Sequence, residues 1–224
     1  HGSVELRGSI DGYNNFLAAV SLSGPIVKDK KGGPTKVGFL FSGEVSYDMD
    51  GSPARGGNYV ANDDVIEALK KNPLRYSSSD FGAWYQEGSY LTSESFHKER
   101  VRTNADYWDY LGQGKLDFTL GAKHNMRLSL GGSYEFNKGK SWSTTSALFN
   151  GDSYGISKGG TLRVNARLNH RVFTDTTGDA NVVLKNIMYD INVNYTRVNS
   201  TSYSADHENR LFEYGYVGKF TTTK

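Results

Sequence analysis

The sequence predicts an all-β fold, an antiparallel wall of membrane-spanning strands joined by long outer loops. Three observations carry this expectation: apolar–polar alternation with a period of two, the length of the alternating runs, and the unequal connections between them.

The alternation is clearest in "RLSLGGSYEF" (127–136). Leu128, Leu130, Gly132, Tyr134 and Phe136 share one register, and Arg127, Ser129, Gly131, Ser133 and Glu135 share the other. In chain order, "VELRGSI" (4–10) is a weak first strand. "FLAAVSL" (16–22) aligns Phe16, Ala18, Val20 and Leu22. "KVGFLFSGEVSY" (36–47) sets Val37, Phe39, Phe41, Val45 and Tyr47 against Lys36, Ser42, Glu44 and Ser46. "KLDFTLGA" (115–122) sets Leu116, Phe118, Leu120 and Ala122 against Lys115, Asp117 and Thr119. "TLRVNARLNHRVF" (161–173) sets Leu162, Val164, Ala166, Leu168 and Val172 against Arg163, Asn165, Arg167, Asn169 and Arg171. "NIMYDINVNYTRV" (186–198) sets Ile187, Tyr189, Ile191, Val193 and Tyr195 against Met188, Asp190, Asn192, Asn194 and Thr196. "EYGYVGKF" (213–220) is a weak last strand, which makes about eight.

Strands of soluble domains average ~5–6 residues, whereas a membrane-spanning strand needs ~9–11. Several of these runs reach the longer range. "KDKKGGPT", "GAKHN" and "TDTTGDAN" are short connections. Segments 49–107 and 137–160 and "NSTSYSADHENRL" are longer and alternate with them, as short periplasmic turns alternate with long outer loops in outer-membrane barrels. Tyr47, Trp108, Tyr110, Tyr134, Phe136 and Tyr195 lie where strands lead into the long segments, as expected of an interfacial aromatic girdle.

Cost decides which face meets lipid. An arginine facing lipid near the midplane costs ~2–4 kcal/mol, so Arg163, Arg167 and Arg171 must face a wet or plugged lumen. Asp190, Asn192 and Asn194 offer partners on the next strand. Within segment 49–107, "ANDDVIEALKKNPL" reads as a short helix near 62–71. Asn62 is its N-cap, acids fill its first turn, and Pro73 stops it.

Composition narrows the classes further. With 26 glycines and 13% aromatics the chain of 224 residues is neither a helical bundle nor disordered. A net charge of +2 and no basic cluster with interleaved aromatics speak against nucleic acid. The absence of cysteine excludes disulfides and thiol chemistry. "FLAAV" and "VGFLF" are far shorter than the ~20 residues of a membrane helix, so a membrane role must come from strands. Two motif fragments are better read as a glycine-bounded loop turn and a solvated loop turn, with a Ser153 nucleophile and a loop calcium site as their minority readings. "GDSYG" (151–155) has the spacing of a nucleophile elbow but lacks the strand before Ser153 and the helix after it. "DMDGS" (48–52) starts like a calcium loop, yet Tyr59 stands at its twelfth position. His97, His124, His170 and His207 form no i, i+4 metal pair. The expectation is therefore no enzyme, no catalytic residue, no metal and no cofactor.

"SLSGPIVKDKKGG", "FLFSGEVSYD", "NPLRY" and "LFEYGYVGKF" (211–220) resemble the barrel segments of Bacteroidetes-type TonB-dependent outer-membrane transporters (SusC/RagA/Oar-like receptors) from about residue 4 to the end. The resemblance implies a 22-stranded barrel with a plugged lumen, driven by an inner-membrane TonB complex and importing a large solute: glycan, peptide or chelate. It implies outer-membrane lipid, the rest of the barrel, a plug and in some members a surface lipoprotein lid as partners. Residues 1–224 then form a partial barrel domain with extracellular loops, in a chain that shows no TonB box or plug. Arg163, Arg167, Arg171 and Asp190 are the lumen residues expected to face solute or plug. Trp84, Tyr85 and Trp142 are the loop aromatics expected to stack on a solute. Three other readings stay open: a complete eight-stranded outer-membrane barrel with an adhesive or structural role, a barrel hydrolase using Ser153, and a soluble carbohydrate-binding sandwich.

Overall fold

The computed structural model describes residues 1–10, 12–29, 34–79, 82–121, 125–172 and 187–208, with 210 and 213. Its main feature is a seven-stranded antiparallel sheet. The strands are β1 (Gly2–Gly8), β2 (Phe16–Lys28), β3 (Thr35–Asp48), β8 (Tyr107–Leu120), β9 (Met126–Ser141), β10 (Gly155–Val172) and β11 (Ile187–Ser204). Their spatial order is their sequence order, with β1 and β11 at the two edges, so the sheet is open among the described residues. Residues 49–106 interrupt this meander and hold β4 (Asn58–Ala61), α1 (Asp63–Lys71), β5 (Leu74–Ser77), β6 (Ala83–Gln86) and β7 (Phe96–Glu99). A four-residue helix, α2 (Thr144–Ala147), lies between β9 and β10.

Seven of the strands expected from alternation are therefore present, and the last (213–220) falls outside the described residues apart from Glu213. All but β1 are longer than their combs, at 13 to 18 residues. The expected long connection 137–160 shrinks accordingly to 142–154, because β9 continues through "NKGKS" and β10 begins at Gly155. Tyr134 and Tyr195 consequently lie mid-strand rather than at strand ends. Pairing continues there because a sheet is held by backbone hydrogen bonds, which do not require an apolar register.

The chain divides into two compact units. The first holds His1–Tyr47, Trp108–Lys138 and Lys158–Thr201, which make up most of the sheet. Its registers place like with like: Val4 opposite Val20, Ala18 opposite Val45, Leu22 opposite Phe41, Phe16 opposite Tyr47. Near the β2–β3 turn the register shifts between Pro25, Val27 and Lys28. Pro25 lacks an N–H and is tolerated at such a bulge.

Nothing among the described residues covers the apolar face. Leu6 is 77% exposed, Leu22 47%, Val164 47% and Val193 62%, and the single buried apolar residue of the described chain is Ala61. A sandwich would pack two such faces together at ~10 Å. The soluble-sandwich reading predicts shorter strands and paired apolar faces, whereas β2, β3 and β8 to β11 run 13 to 18 residues and no second apolar face packs on the sheet among the described residues.

Across this face runs an aromatic row. Trp108 lies 5.7 Å from Phe16, 4.6 Å from Tyr47 and 5.9 Å from Tyr110, and Tyr110 lies 6.0 Å from Phe136. Phe16 is the member that the sequence reading left out of the girdle. Each aromatic pair is worth ~0.5–1.5 kcal/mol beyond area. Trp108→Ala is therefore expected to cost about 2–3 kcal/mol, measured by denaturant unfolding of the folded chain. Tyr195→Ala, whose ring has no aromatic partner among the described contacts, is expected to cost less.

The second unit holds Asp48–Tyr107, Gly139–Ser157 and residues from Ser202 on. It is built from two short hairpin-like pairs, β4 with β7 and β5 with β6. Ala61 donates its backbone N–H to Leu148 O at 2.9 Å, and Phe96 meets Phe149 at 5.9 Å. Helix α1 begins one residue after Asn62, as expected, with Val65, Ile66 and Leu69 half-buried. The capping chemistry differs, however. Asn62 makes no side-chain cap; its Nδ2 donates to Glu94 O at 3.0 Å, and its Oδ1 meets His97 Nδ1 at 2.9 Å.

Candidate functional site

The polar face of the sheet is tied together strand by strand. Ser3 and Ser21 hydroxyls meet at 2.8 Å across β1 and β2, and Gln113 Nε2 donates to Ser42 Oγ at 2.8 Å across β3 and β8. Asp117 on β8 accepts from Ser129 Oγ and pairs with Lys115 at 3.1 Å and Arg127 at 3.3 Å. Alternation explains the arrangement: residues of one parity from every strand share the face, so polar partners meet without long reach.

The four expected lumen residues all belong to this unit. Arg167 pairs with Asp190 at 2.8 Å, and Asn169 Nδ2 donates to the same carboxylate at 3.2 Å. Arg163 turns the other way, to Glu135 on β9 at 3.4 Å, rather than toward Asp190. Arg171 is held near the turn end of β10, where its backbone N–H donates to Asn125 O and its carbonyl accepts from Asn125 Nδ2, both at 2.9 Å. The set is thus spread along β10 and β11. Arg167 is 58% exposed along its side chain, and exposed pairs are worth ~0–1 kcal/mol. Arg167→Gln is expected to shift the denaturation midpoint little, by less than about 1 kcal/mol in stability. Its role is then not to hold the sheet.

The expected loop aromatics do not converge. Trp84 and Tyr85 are neighbours on β6 and point to opposite faces of the β5–β6 pair. Trp84 lies 5.1 Å from Tyr76 and is 64% exposed. Tyr85 sits opposite Arg75 and edge-on to Tyr90 at 6.3 Å, while Arg75 stacks over Tyr90 at 4.5 Å and pairs with Glu87. Trp142 lies under the guanidinium of Arg102, 4.9 Å from its ring centre. It also lines a cavity of about 310 Å³ within the second unit, together with Asn58, Lys70, His97 and Asp152. Asn58 Nδ2 is buried there without an acceptor.

One centre escaped the sequence reading. Asp50, read as part of a solvated turn, is fully buried at its side chain. It accepts from the backbone N–H of Ser52 and of Arg102, both at 3.0 Å, and from Arg102 Nε at 2.9 Å. Burial pushes the Asp50 carboxyl up, but the hydrogen bonds and charge of Arg102 and the Ser52 N–H outweigh it, so it sits below the ordinary carboxylate value. The carboxylate is therefore committed to an ion pair. Among the described residues no group of three His, Asp or Glu side chains is placed to hold a metal. "GDSYG" is a turn entered from α2, in which Ser153 N donates to Asn150 O at 3.1 Å, and it leads into β10. His170 on β10 meets Tyr189 Oη on β11 at 2.7 Å, and His124 lies outside the described residues.

No family model, curated protein or solved structure matches this chain.

Proposed function

We propose that the chain is part of the wall of an outer-membrane β-barrel that imports a large solute, as in TonB-dependent transporters of the Bacteroidetes type. One observation carries the reading: a wide antiparallel sheet of 13- to 18-residue strands with an uncovered apolar face and a cross-linked polar face. At ~3.3 Å per residue an 18-residue strand is ~60 Å long, and at a tilt near 45° it rises ~40 Å. That exceeds the ~30 Å hydrocarbon core, so the strands would cross it and project beyond.

On this reading lipid replaces the missing second layer. The aromatic row around Trp108 sits at a membrane interface, and the 49–106 segment, which joins β3 to β8, is an extracellular loop. The polar face, with Arg163, Arg167 and Asp190, lines the solute path or receives the plug. Among the described residues both sheet edges are unpaired, and on this reading they join further strands of the same barrel, since open edges invite pairing. The TonB complex, and a lipoprotein lid where one exists, are partners of the whole assembly.

The test is the intact mass of the source polypeptide, taken from denatured outer membranes. A plugged 22-stranded barrel requires about four or more times the 24.8 kDa of this chain. A mass near 24.8 kDa would overturn the transporter reading.

A further inference from the structure

We infer that the polar face carries a seat for oxyanions, floored by Gly131 and walled by Lys115, Arg127, Arg163 and Arg167. The inference deepens the proposed lumen and rests on that face being wet, and it names the chemistry the lumen would hold.

Two adjoining depressions of about 440 Å³ each lie on this face and share Lys115 and Asn165. One is lined further by Gln113, Ser133 and Arg163, and the other by Arg127, Ser129 and Arg167. Neither lining contains a carboxylate. The acids that pair with these cations stand aside: Asp117 serves both Lys115 and Arg127, Glu135 serves Arg163, and Asp190 serves Arg167. In these ion pairs four cations share three carboxylates, and the further acid Asp109 lies beside Glu135 and lines neither depression.

The donors remain available. The side chains of Lys115, Arg127, Arg163 and Arg167 are 44% to 60% exposed. A guanidinium has five N–H groups and spends only one or two on its carboxylate. The amides of Gln113 and Asn165 and the Ser133 hydroxyl add neutral donors. Such a wall suits carboxylate or phosphate oxygens, which arginine meets in a planar, two-bond fashion.

Gly131 is what opens the seat. It occupies the polar register of β9 but contributes no side chain, and a Cβ there would lie 2.7 Å from Asn165 Oδ1. The same face has an opposite region. A depression between β1, β2, β3 and β8 is lined by Glu5 and Glu44 with Ser3, Ser21 and Ser42, and by no cation. The linings of the depressions thus differ in charge, and the anion is directed to the Gly131 region rather than to the face at large.

The experiment is equilibrium binding of inorganic phosphate and, separately, of a hexa-aspartate peptide to the full chain. It is run at low ionic strength, where charge is little screened, with far-ultraviolet circular dichroism confirming the fold. Lys115→Gln and Arg167→Gln are each expected to weaken binding about tenfold or more, the loss of one charge-assisted hydrogen bond. Gly131→Ala is expected to weaken it with every charge intact. Arg7→Gln, on the same face but paired with Glu5 on β1, is expected to leave it unchanged. Binding of phosphate alone assigns the seat to a free small oxyanion; binding of the peptide alone assigns it to the carboxylates of an acidic polypeptide. No binding of either by folded chain overturns the inference, as does an equal loss on Arg7→Gln. A chain that binds phosphate but does not enter membranes keeps the seat and sinks the barrel reading. A chain that enters membranes and binds neither probe does the reverse.

Discussion

Arg102→Met is expected to destabilise the second unit by about 3–5 kcal/mol, because it strands a buried carboxylate without its partner. Asp50 has no exposed side-chain surface, and the substitution removes the guanidinium that both pairs with it and covers the Trp142 ring. Limited proteolysis reads the effect directly: segment 49–106 of the variant is expected to be cut well before the wide sheet loses its circular dichroism. Asp50→Asn is expected to cost less, since an amide oxygen still accepts from Ser52 and Arg102 N–H. Acid should act on the same centre. Against the upward push of burial, Arg102 and the Ser52 N–H hold the Asp50 carboxyl below the ordinary carboxylate value, so the stabilisation is fully present above that ordinary value and is lost as pH falls through the lowered one. Proteolysis of this segment is thus expected to be flat between pH 7 and about 5 and to rise only in stronger acid.

The second large effect concerns the apolar face. Val164→Arg is expected to cost about 2–4 kcal/mol in a bilayer if Val164 lies near its midplane, measured by denaturant unfolding from phospholipid vesicles. Asn165→Arg, one residue on and on the polar register with Arg163 and Arg167, is expected to cost far less. A period of two along a single strand separates these outcomes, and a chain whose two faces are both simply solvated would show no difference.

How far the molecule could be read from its sequence varied with the range of the interaction. Alternation located the strands because it is local: each side chain's face is set by its parity. It underestimated strand ends wherever Gly, Ser and Lys interrupt the comb, as in β9 beyond Phe136, because backbone pairing does not depend on those side chains. The short strands β4 to β7 were missed for a related reason, since four residues are too few to establish a period. The Asp50–Arg102 pair joins positions far apart in the chain within an irregular segment, so no spacing rule announces it. Asn62 showed the limit of a local rule. It stands at the helix start, yet Glu94 and His97 draw its side chain away from the cap. The charged ladder was half legible. Arg167 and Asp190 met as expected, but Arg163 chose Glu135, because either neighbouring strand can supply a carboxylate at the right height.

The most direct test of the central reading uses the absence of native cysteine. Single cysteines placed in turn at Leu162, Arg163, Val164, Asn165, Ala166 and Arg167 would be probed in membranes with a water-soluble maleimide, and labelled with a fluorophore read against lipid-borne quenchers. Leu162→Cys, Val164→Cys and Ala166→Cys should resist the aqueous reagent and be quenched from lipid, and the three odd positions should do the opposite. Uniform aqueous labelling with no lipid quenching at any of the six would contradict a membrane-spanning wall.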